Sequence, residues 1–292
     1  SMQTFIELLK AALYGVVEGV TEWLPISSTG HLILLKEILP MNVSEAFYEM
    51  FDVVIQLGAV LAVVGLFLKT LLPKFTGCGK GGFFRCEENK KTWSLWAKII
   101  VAVIPSGVVG VLFDDWFNEH MFSAPVVAAA LAVYGILYIV IELMRRGKQD
   151  GVCTDVHSVS YLRAFGMGCF QILALVPGTS RSGSTILGGL LLGFSRSCAA
   201  EFSFFLSLPT MVGASLLKAV KFVTGGNHVS GTEALVLIVG CVVSFLVSVV
   251  AIKFLMDFVK KHTFIPFGVY RIVLAVLVVL YFAITKSPAP AV

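Results

Sequence analysis

Long apolar stretches alternate with short polar connections along most of the chain. Several stretches are roughly 20 residues long, the length that an α-helix needs to cross about 30 Å of hydrocarbon. Their apolar residues do not alternate with polar ones, as they would in strands. The pattern predicts an all-α polytopic membrane protein with six spanning helices, at about 46–68, 97–113, 123–144, 200–222, 232–258 and 266–285.

Two further stretches, at about 3–40 and 160–195, are long enough to span but are interrupted by proline, glycine and serine. These residue types end or break helices. Irregular backbone at membrane depth is tolerated only where protein or a water-filled cavity surrounds it. We therefore expect these two segments to form re-entrant helical hairpins.

Composition agrees with a membrane protein. Hydrophobic residues make up 57% of the chain and charged residues 14%, whereas soluble domains contain about 25% charged residues. The net charge of +4 comes from basic connections and does not indicate a nucleic-acid partner.

Cys78 and Cys86 share one connection, but without a second ligand pair they do not predict a metal site. Residues 2–20 lack signal-peptide features, so we expect them in the mature protein.

Charge also orients the helices. Lysine and arginine are concentrated in 69–98, 145–163 and 259–263, and the positive-inside rule places such connections in the cytoplasm. The connections "DDWFNEH" and "TGGNHVSG" contain neither residue and are predicted outside. With this orientation, 160–195 enters and leaves the membrane from the inside, and the first broken segment ends outside.

The two broken segments resemble each other. Residues 11–34 align without gaps to 164–187, and identical residues fall at Ala11/Ala164, Gly15/Gly168, Ser27/Ser180, Gly30/Gly183, Ile33/Ile186 and Leu34/Leu187. Because the segments enter from opposite sides, this predicts an inverted-topology repeat with broken helices near the midplane. We expect one membrane domain over 1–292, with 3–68 and 160–222 as corresponding repeats.

The first hairpin begins with "EGVTE". Glu18 and Glu22 are four residues apart, so both carboxylates lie on one helix face. Two adjacent carboxylates in a low-dielectric site do not both ionise easily. A divalent cation, Mg²⁺ or Ca²⁺, shared with a phosphorylated substrate would relieve the repulsion. The alternative is that one carboxyl is protonated and both are structural.

The same hairpin continues as "PISSTGH". Ser27, Ser28 and Thr29 supply hydroxyls, Gly30 allows a tight turn and His31 supplies a base. The helix that follows presents free N–H groups, which suit an anion, and a hydroxyl beside a histidine is the minimum for nucleophilic catalysis. The alternative is that these residues only cap the helix.

The second hairpin contains "PGTSRSGST", with Arg181 as the one charge between 164 and 195. Arginine suits bidentate phosphate contact, and Ser180, Ser182 and Gly183 can form an N–H and hydroxyl nest. Alternatively, Arg181 has a structural carboxylate partner such as Glu201. Together the hairpins predict a site for a phosphate group on a lipid.

Two other positions are less decisive. Asp52 and Gln56 lie four residues apart at the start of a span and face either the site or the interface. Trp23 is expected at the interface or against the lipid chain.

The motifs "EGVTEWLPISSTGH" and "PGTSRSG" resemble the signatures of the undecaprenyl-pyrophosphate phosphatases of the bacitracin-resistance type. The resemblance extends through "FDVVIQLGAVLAVV", "EFSFFLSLPTMVGAS" and "FIPFGVYR". It implies removal of one phosphate from the C55 isoprenoid pyrophosphate, which recycles a lipid carrier of cell-wall synthesis. It further implies a divalent cation, interlocked inverted repeats, a homodimer, and a site that opens to the outer face of the bacterial inner (plasma) membrane.

The motif match assigns roles residue by residue. Glu18 and Glu22 are the carboxylate and metal pair, His31 the histidine, Ser28 the nucleophile and Arg181 the phosphate ligand. The implied pocket residues are Ser27, Thr29, Gln56, Ser180, Ser182 and Gly183.

Two questions stay open at this point. Either Ser28 or a metal-activated water attacks the phosphorus, and His31 acts as a base or protonates a leaving oxygen. The rival function is a transporter or flippase of a phosphorylated lipid or anion, alone or combined with hydrolysis. An anion carrier, however, has little use for two acids and a nucleophile.

Overall fold

The computed structural model describes residues 2–74, 86–147 and 150–285, and it is built from helices. Cys78 lies outside the described residues. The α-helices are α1 (Met2–Thr21), α2 (Ser28–Ile38), α3 (Glu45–Leu66), α4 (Leu68–Leu71), α5 (Glu87–Met121), α6 (Ala124–Arg145), α7 (Tyr161–Ile172), α8 (Arg181–Leu191), α9 (Arg196–Thr224), α10 (Gly231–Val259) and α11 (Ile265–Thr285).

The predicted spans are confirmed. Among the described residues, 6 helices are long and apolar enough to cross a membrane: α3, α5 as far as Phe113, α6, α9, α10 and α11. Apart from one isolated bridge between Cys153 and Phe194, this part of the chain contains no β-structure. The all-α polytopic class is therefore confirmed.

One predicted boundary is wrong. The second span was predicted at 97–113 with polar connections on both sides, but α5 runs from Glu87 to Met121 and includes "DDWFNEH". Hydropathy marks where the hydrocarbon ends, whereas a helix continues until its backbone bonding is interrupted. Glu87 and Glu88 in the first turn favour an early start because they complement the helix dipole.

Both broken segments are helix–break–helix units. The first break lies between α1 and α2 and contains Pro25. The second lies between α7 and α8, where a 3₁₀ turn at Leu173–Leu175 precedes Pro177. The first helix of each unit packs along one long neighbour, α1 on α10 and α7 on α5.

Matching glycines set how closely these helices approach. An added Cβ at Gly15 would lie 2.6 Å from the Gly240 carbonyl oxygen of α10, and one at Gly168 would overlap the Ala102 carbonyl oxygen of α5. Small residues allow such backbone contact between membrane helices. The two glycines occupy corresponding positions in the sequence alignment of the broken segments.

Helix α8 is held at both ends. Its first turn is tied to α9 by a 2.6 Å hydrogen bond between the hydroxyls of Thr185 and Ser203. At its last turn Arg145 of α6 donates to the carbonyl oxygens of Leu190 (2.6 Å) and Phe194 (3.1 Å). These bonds tie α8 to α9 near its start and to α6 at its end.

Trp23 lies neither at the interface nor against lipid, so its predicted position is wrong. It is fully buried, its ring meets Phe204 edge-on at 5.3 Å, and the Arg181 guanidinium lies 5.7 Å from the ring centre. Burial of the large Trp23 ring and its cation–π contact with Arg181 both stabilise this buried position.

Candidate active site

The two breaks meet in the interior of the helix bundle. Ser182 Oγ donates a 2.8 Å hydrogen bond to the Glu22 carbonyl oxygen, and Arg181 Nε donates a 3.0 Å bond to Glu22 Oε1. The sequence prediction that the hairpins come together is thus matched by direct contacts between their motifs.

Each break ends at a serine with an unusual backbone conformation. Ser27 has a φ of 74° and Ser180 a φ of 70°, and no other non-glycine residue in the described part of the chain has a positive φ. Each serine caps the next helix by accepting a hydrogen bond, from Gly30 N at 3.3 Å and from Gly183 N at 3.1 Å. Such strain persists only where its surroundings impose it.

Glu22 is the centre of the polar cluster. Its Oε2 accepts a 3.2 Å hydrogen bond from Ser28 Oγ, while its Oε1 accepts the bond from Arg181. Arg181 Nη1 also donates to the Ser203 carbonyl oxygen at 2.9 Å. Its Nη2 is buried and has no hydrogen-bond partner, so one guanidinium nitrogen makes no hydrogen bond within the described part of the protein. Glu201, the alternative partner, is not the carboxylate that Arg181 meets.

A cavity of about 220 Å³ lies beside this cluster. The predicted site residues that line it are Glu22, Ser28, Thr29, Gln56, Ser180 and Arg181. Ser27, Ser182 and Gly183 are buried and support the lining through their bonds. Glu18 and His31 do not line this cavity.

The opposite wall is polar as well. Gln171 lines it and donates from Nε2 to Ser106 Oγ (2.7 Å) and Thr210 Oγ1 (3.1 Å). Sequence reasoning did not select Ser106 or Thr210. Each hydroxyl directly follows a proline inside a long helix, Pro105 in α5 and Pro209 in α9, and a proline next to a polar residue within a span is a usable signal.

Glu18 lies one helical turn before Glu22 and is completely buried. Neither of its carboxylate oxygens has a hydrogen-bond partner. Over the described ranges, no group of three or more histidine, cysteine, aspartate or glutamate side chains could hold a metal ion. The observation that fits a cation is the pair of unpartnered Glu18 oxygens, since Mg²⁺ is often held by one or two carboxylates together with phosphate and water.

His31 contacts Tyr270 instead of Ser28. Its Nδ1 lies 2.7 Å from the Ser27 carbonyl oxygen, which can only accept, so Nδ1 carries a proton. Its Nε2 lies 2.6 Å from the Tyr270 hydroxyl, and the two rings are stacked with centres 5.6 Å apart. Both ring nitrogens are occupied, and the role of His31 in proton transfer stays a prediction.

Asp52 lies in a second, smaller cavity of about 60 Å³. Lys36, Tyr48 and Phe122 line it too, and Thr29 lines both cavities. Asp52 and Gln56 therefore face the interior rather than the interface. Lys36 lies over the Tyr48 ring at 4.4 Å and pairs with Glu45 at 2.7 Å.

Sequence reasoning missed Tyr270 and Arg271. Arg271 is completely buried in α11 and is the one charged residue between Ile265 and Thr285. The rule that selected Arg181, that a charge inside an apolar segment is functional by default, would have selected Arg271 as well.

Comparisons with known proteins identify the relatives of this chain. A family model with the description "Bacitracin resistance protein BacA" matches residues 11–277. A protein named undecaprenyl-diphosphatase from Streptococcus thermophilus is 51% identical over 282 residues, which cover 97% of this chain and 96% of that protein. Its namesake from Streptococcus pyogenes serotype M3 is 50% identical over 276 residues, covering 94% and 96%.

Proposed function

The chain belongs to the bacitracin resistance protein BacA family, and we propose that it hydrolyses undecaprenyl pyrophosphate to undecaprenyl phosphate and inorganic phosphate. This reaction recycles a lipid carrier of cell-wall synthesis and confers the bacitracin resistance in the family name. The observation that carries the proposal is one cluster in which a carboxylate accepts from a hydroxyl and from an arginine that keeps one nitrogen unpartnered.

The terminal phosphate of the substrate occupies the cavity. Arg181 Nη2 donates to a phosphate oxygen, since this nitrogen is the one without a protein partner. The N-termini of α2 and α8, at Ser28 and Arg181, add N–H groups and positive dipole ends. Phosphoryl transfer depends mainly on such positioning and charge stabilisation.

In the favoured mechanism, Ser28 Oγ attacks the terminal phosphorus and its proton passes to Glu22 Oε2, the atom that accepts its hydrogen bond. The bond between the phosphorus and the bridging oxygen breaks, and undecaprenyl phosphate leaves with the electron pair. Water then attacks the phosphoserine and releases one proton to solvent, Glu22 returns its proton to Ser28 Oγ as the serine oxygen–phosphorus bond breaks, and inorganic phosphate is released. Glu22 is thus a closer candidate for the base than His31.

In the alternative mechanism a water molecule attacks the substrate directly. Glu22 accepts the proton from that water, and Ser28 serves to orient it. Because Ser28 and Glu22 are bonded to each other in either case, the two mechanisms are distinguished by the activity of a Ser28 variant and not by geometry.

A divalent cation, Mg²⁺ or Ca²⁺, is part of the proposal, with Glu18 and Glu22 as the residues that would hold it. When bound, such an ion neutralises charge on the pyrophosphate. The two unpartnered oxygens of Glu18 support this assignment, because a buried carboxylate without a partner is costly.

We also propose that 3–68 and 160–222 are inverted repeats with re-entrant hairpins. Three paired features support this: the capping serines at positive φ, the glycines at helix contacts, and the packing of α1 on α10 and α7 on α5. The second cavity, which includes Phe122 next to the predicted outer connection, favours a site open to the outer face of the bacterial inner membrane. A homodimer is proposed from the resemblance alone.

The experiment is phosphate release from C55 and C15 isoprenoid pyrophosphates by detergent-purified protein, with Mg²⁺ or with EDTA. We expect metal-dependent release that falls at least about 100-fold in Arg181→Ala, as expected on loss of a charge-stabilising donor. Arg146→Ala, an exposed arginine at the end of α6, is the matched control and should retain activity.

Ser28→Ala separates the mechanisms. Loss of activity together with loss of a trapped phosphoserine supports attack by Ser28, whereas retained activity transfers the attack to water. If the unmutated protein binds the lipid pyrophosphate but releases no phosphate, the enzyme proposal fails and transport becomes the better account.

A further inference from the structure

Arg271 of α11 is a buried cation without a carboxylate. None of its side chain is exposed, and within the described ranges it forms no ion pair. A charge buried in this way requires other polar partners, and all four of its hydrogen bonds go to backbone carbonyl oxygens.

These carbonyls belong to both breaks. Nη1 donates to Pro25 at 3.2 Å, in the first break, and Nη2 donates to Gly178 and Thr179 at 2.9 Å each, in the second. Nε makes a longer 3.5 Å contact with Leu131 of α6. One side chain therefore joins the two irregular segments that carry the site.

The bond to Thr179 determines the direction of an N–H group. In a trans peptide the C=O and N–H point to opposite sides, and no cis peptide occurs among the described residues. Since the Thr179 oxygen points at Arg271, the N–H of Ser180 points away from it. Ser180 lines the cavity, and its N–H lies on the side of the loop that faces away from Arg271.

Ser180 itself has a positive φ, and its hydroxyl caps Gly183 in the first turn of α8. An added Cβ at Gly183 would lie 2.9 Å from Arg271 Nη1, so the first turn of α8 closes directly over the guanidinium.

We propose that Arg271 is a positioning residue that joins the two breaks through their carbonyls and so aims the backbone N–H of Ser180 at the substrate phosphate. It does not touch the substrate. The proposal rests on the phosphatase activity proposed above and adds the residue that prepares the site for it.

The test compares Arg271→Gln and Arg271→Lys with the unmutated protein, all purified in detergent. Loss of one such donor lowers the rate by about 100-fold or more, so we expect at least that fall in kcat/KM for Arg271→Gln, with KM raised as well because the N–H also contacts the phosphate of the bound substrate. Arg271→Lys keeps the charge but cannot bond to both breaks at once. Its activity should lie between that of the unmutated protein and that of Arg271→Gln. Activity is expressed per folded protein, from gel filtration and thermal unfolding.

Arg145→Gln is the matched control. Arg145 is another arginine that donates to carbonyls, but at the far end of α8. The Arg145→Gln variant should unfold at a lower temperature than the unmutated protein and keep the same kcat/KM per folded molecule. An Arg271→Gln variant that behaves like this control, with unchanged kcat/KM, would overturn the proposal.

A second readout does not need hydrolysis. A methylene-bridged farnesyl bisphosphonate should raise the thermal unfolding midpoint of the unmutated protein and of Arg145→Gln, but raise that of Arg271→Gln far less. If the unmutated protein binds this analogue without hydrolysing the substrate, the proposed function fails while Arg271 is still judged on binding. Equal stabilisation of all variants contradicts the positioning role.

Discussion

At the residue scale, the site is built around an imbalance between two carboxylates. Glu22 is bonded on both oxygens, to Ser28 and to Arg181, whereas Glu18 one turn away is bonded on neither. Burial of an unpartnered carboxylate disfavours folding. Stability and the proposed cation site therefore make opposite demands on Glu18.

Glu18→Gln separates these demands. The amide has nearly the same shape but no charge, so we expect the thermal unfolding midpoint without metal to stay equal or rise. Phosphate release should fall at least about tenfold and need more Mg²⁺, because a proposed cation ligand is weakened. The two measurements are made on the same preparation; a fall in stability together with unchanged metal dependence would remove Glu18 from the cation site.

The capping serines give a second residue-scale prediction. Alanine at Ser27 loses the cap, worth about 1 kcal/mol, and keeps the unfavourable positive φ. Glycine loses the same cap but adopts positive φ freely. We expect Ser27→Ala to unfold at a lower temperature than Ser27→Gly, with the same order for the pair at Ser180. Equal unfolding midpoints for the alanine and glycine variants would mean that the positive φ does not destabilise the protein.

The sequence identified Glu22, Ser28 and Arg181 because charge and hydroxyls inside apolar segments are costly. It did not identify Arg271 or Tyr270, although both lie in a motif that was noticed. The charge of Arg271 inside an apolar span was a signal that was not applied. Its carbonyl partners, and the contact of Tyr270 with a histidine 239 residues away, leave no local pattern. The bond from Ser28 to Glu22 likewise depends on how the break folds.

At the element scale, glycines decide which helices touch. An added methyl at Gly168 would overlap the backbone of α5, where no side chain can move aside. Gly213 of α9, in contrast, has open space around its missing Cβ. The two positions are matched in type and in helical setting.

We expect Gly168→Ala to be destabilised by about 2 kcal/mol or more, in the range of an overpacked core. Gly213→Ala should be neutral or more stable by up to about 1 kcal/mol, from helix propensity. Thermal unfolding in detergent and the gel-filtration profile report both. If Gly168→Ala were as stable as Gly213→Ala, the close approach of α7 and α5 would be wrong.

Elements were predicted better than their ends. All spans and both breaks followed from hydropathy and from proline and glycine. The ends of α5 did not, because polar residues at 87–96 and 114–121 continue the helix beyond its apolar part.

At the scale of the whole molecule, the site lies where the two broken segments meet. The Glu22–Arg181 and Ser182–Glu22 bonds each join one broken segment to the other. The internal similarity was visible in the sequence. The sequence similarity led us to expect that the two broken segments meet, and the structure provided the contacts between them.

Topology tests the inverted repeat. In a background without native cysteines, Gln3→Cys and His228→Cys should react with a membrane-impermeant maleimide in intact cells. Lys261→Cys should react only after permeabilisation, and all three positions are exposed. If Gln3→Cys behaved like Lys261→Cys, the first broken segment would cross the membrane and the repeat would not be inverted.

The separation of Glu22 and Arg181 along the chain has a consequence for biosynthesis. The two residues are 159 positions apart, and ribosomes add about 5–20 residues per second. The first segment therefore leaves the ribosome roughly 8 to 30 s before its partner exists. During that interval Glu22 has no arginine and the Pro25 carbonyl no guanidinium. Until Arg181 has been synthesised and inserted, the Glu22 carboxylate has to remain hydrated or be shielded by the insertion machinery.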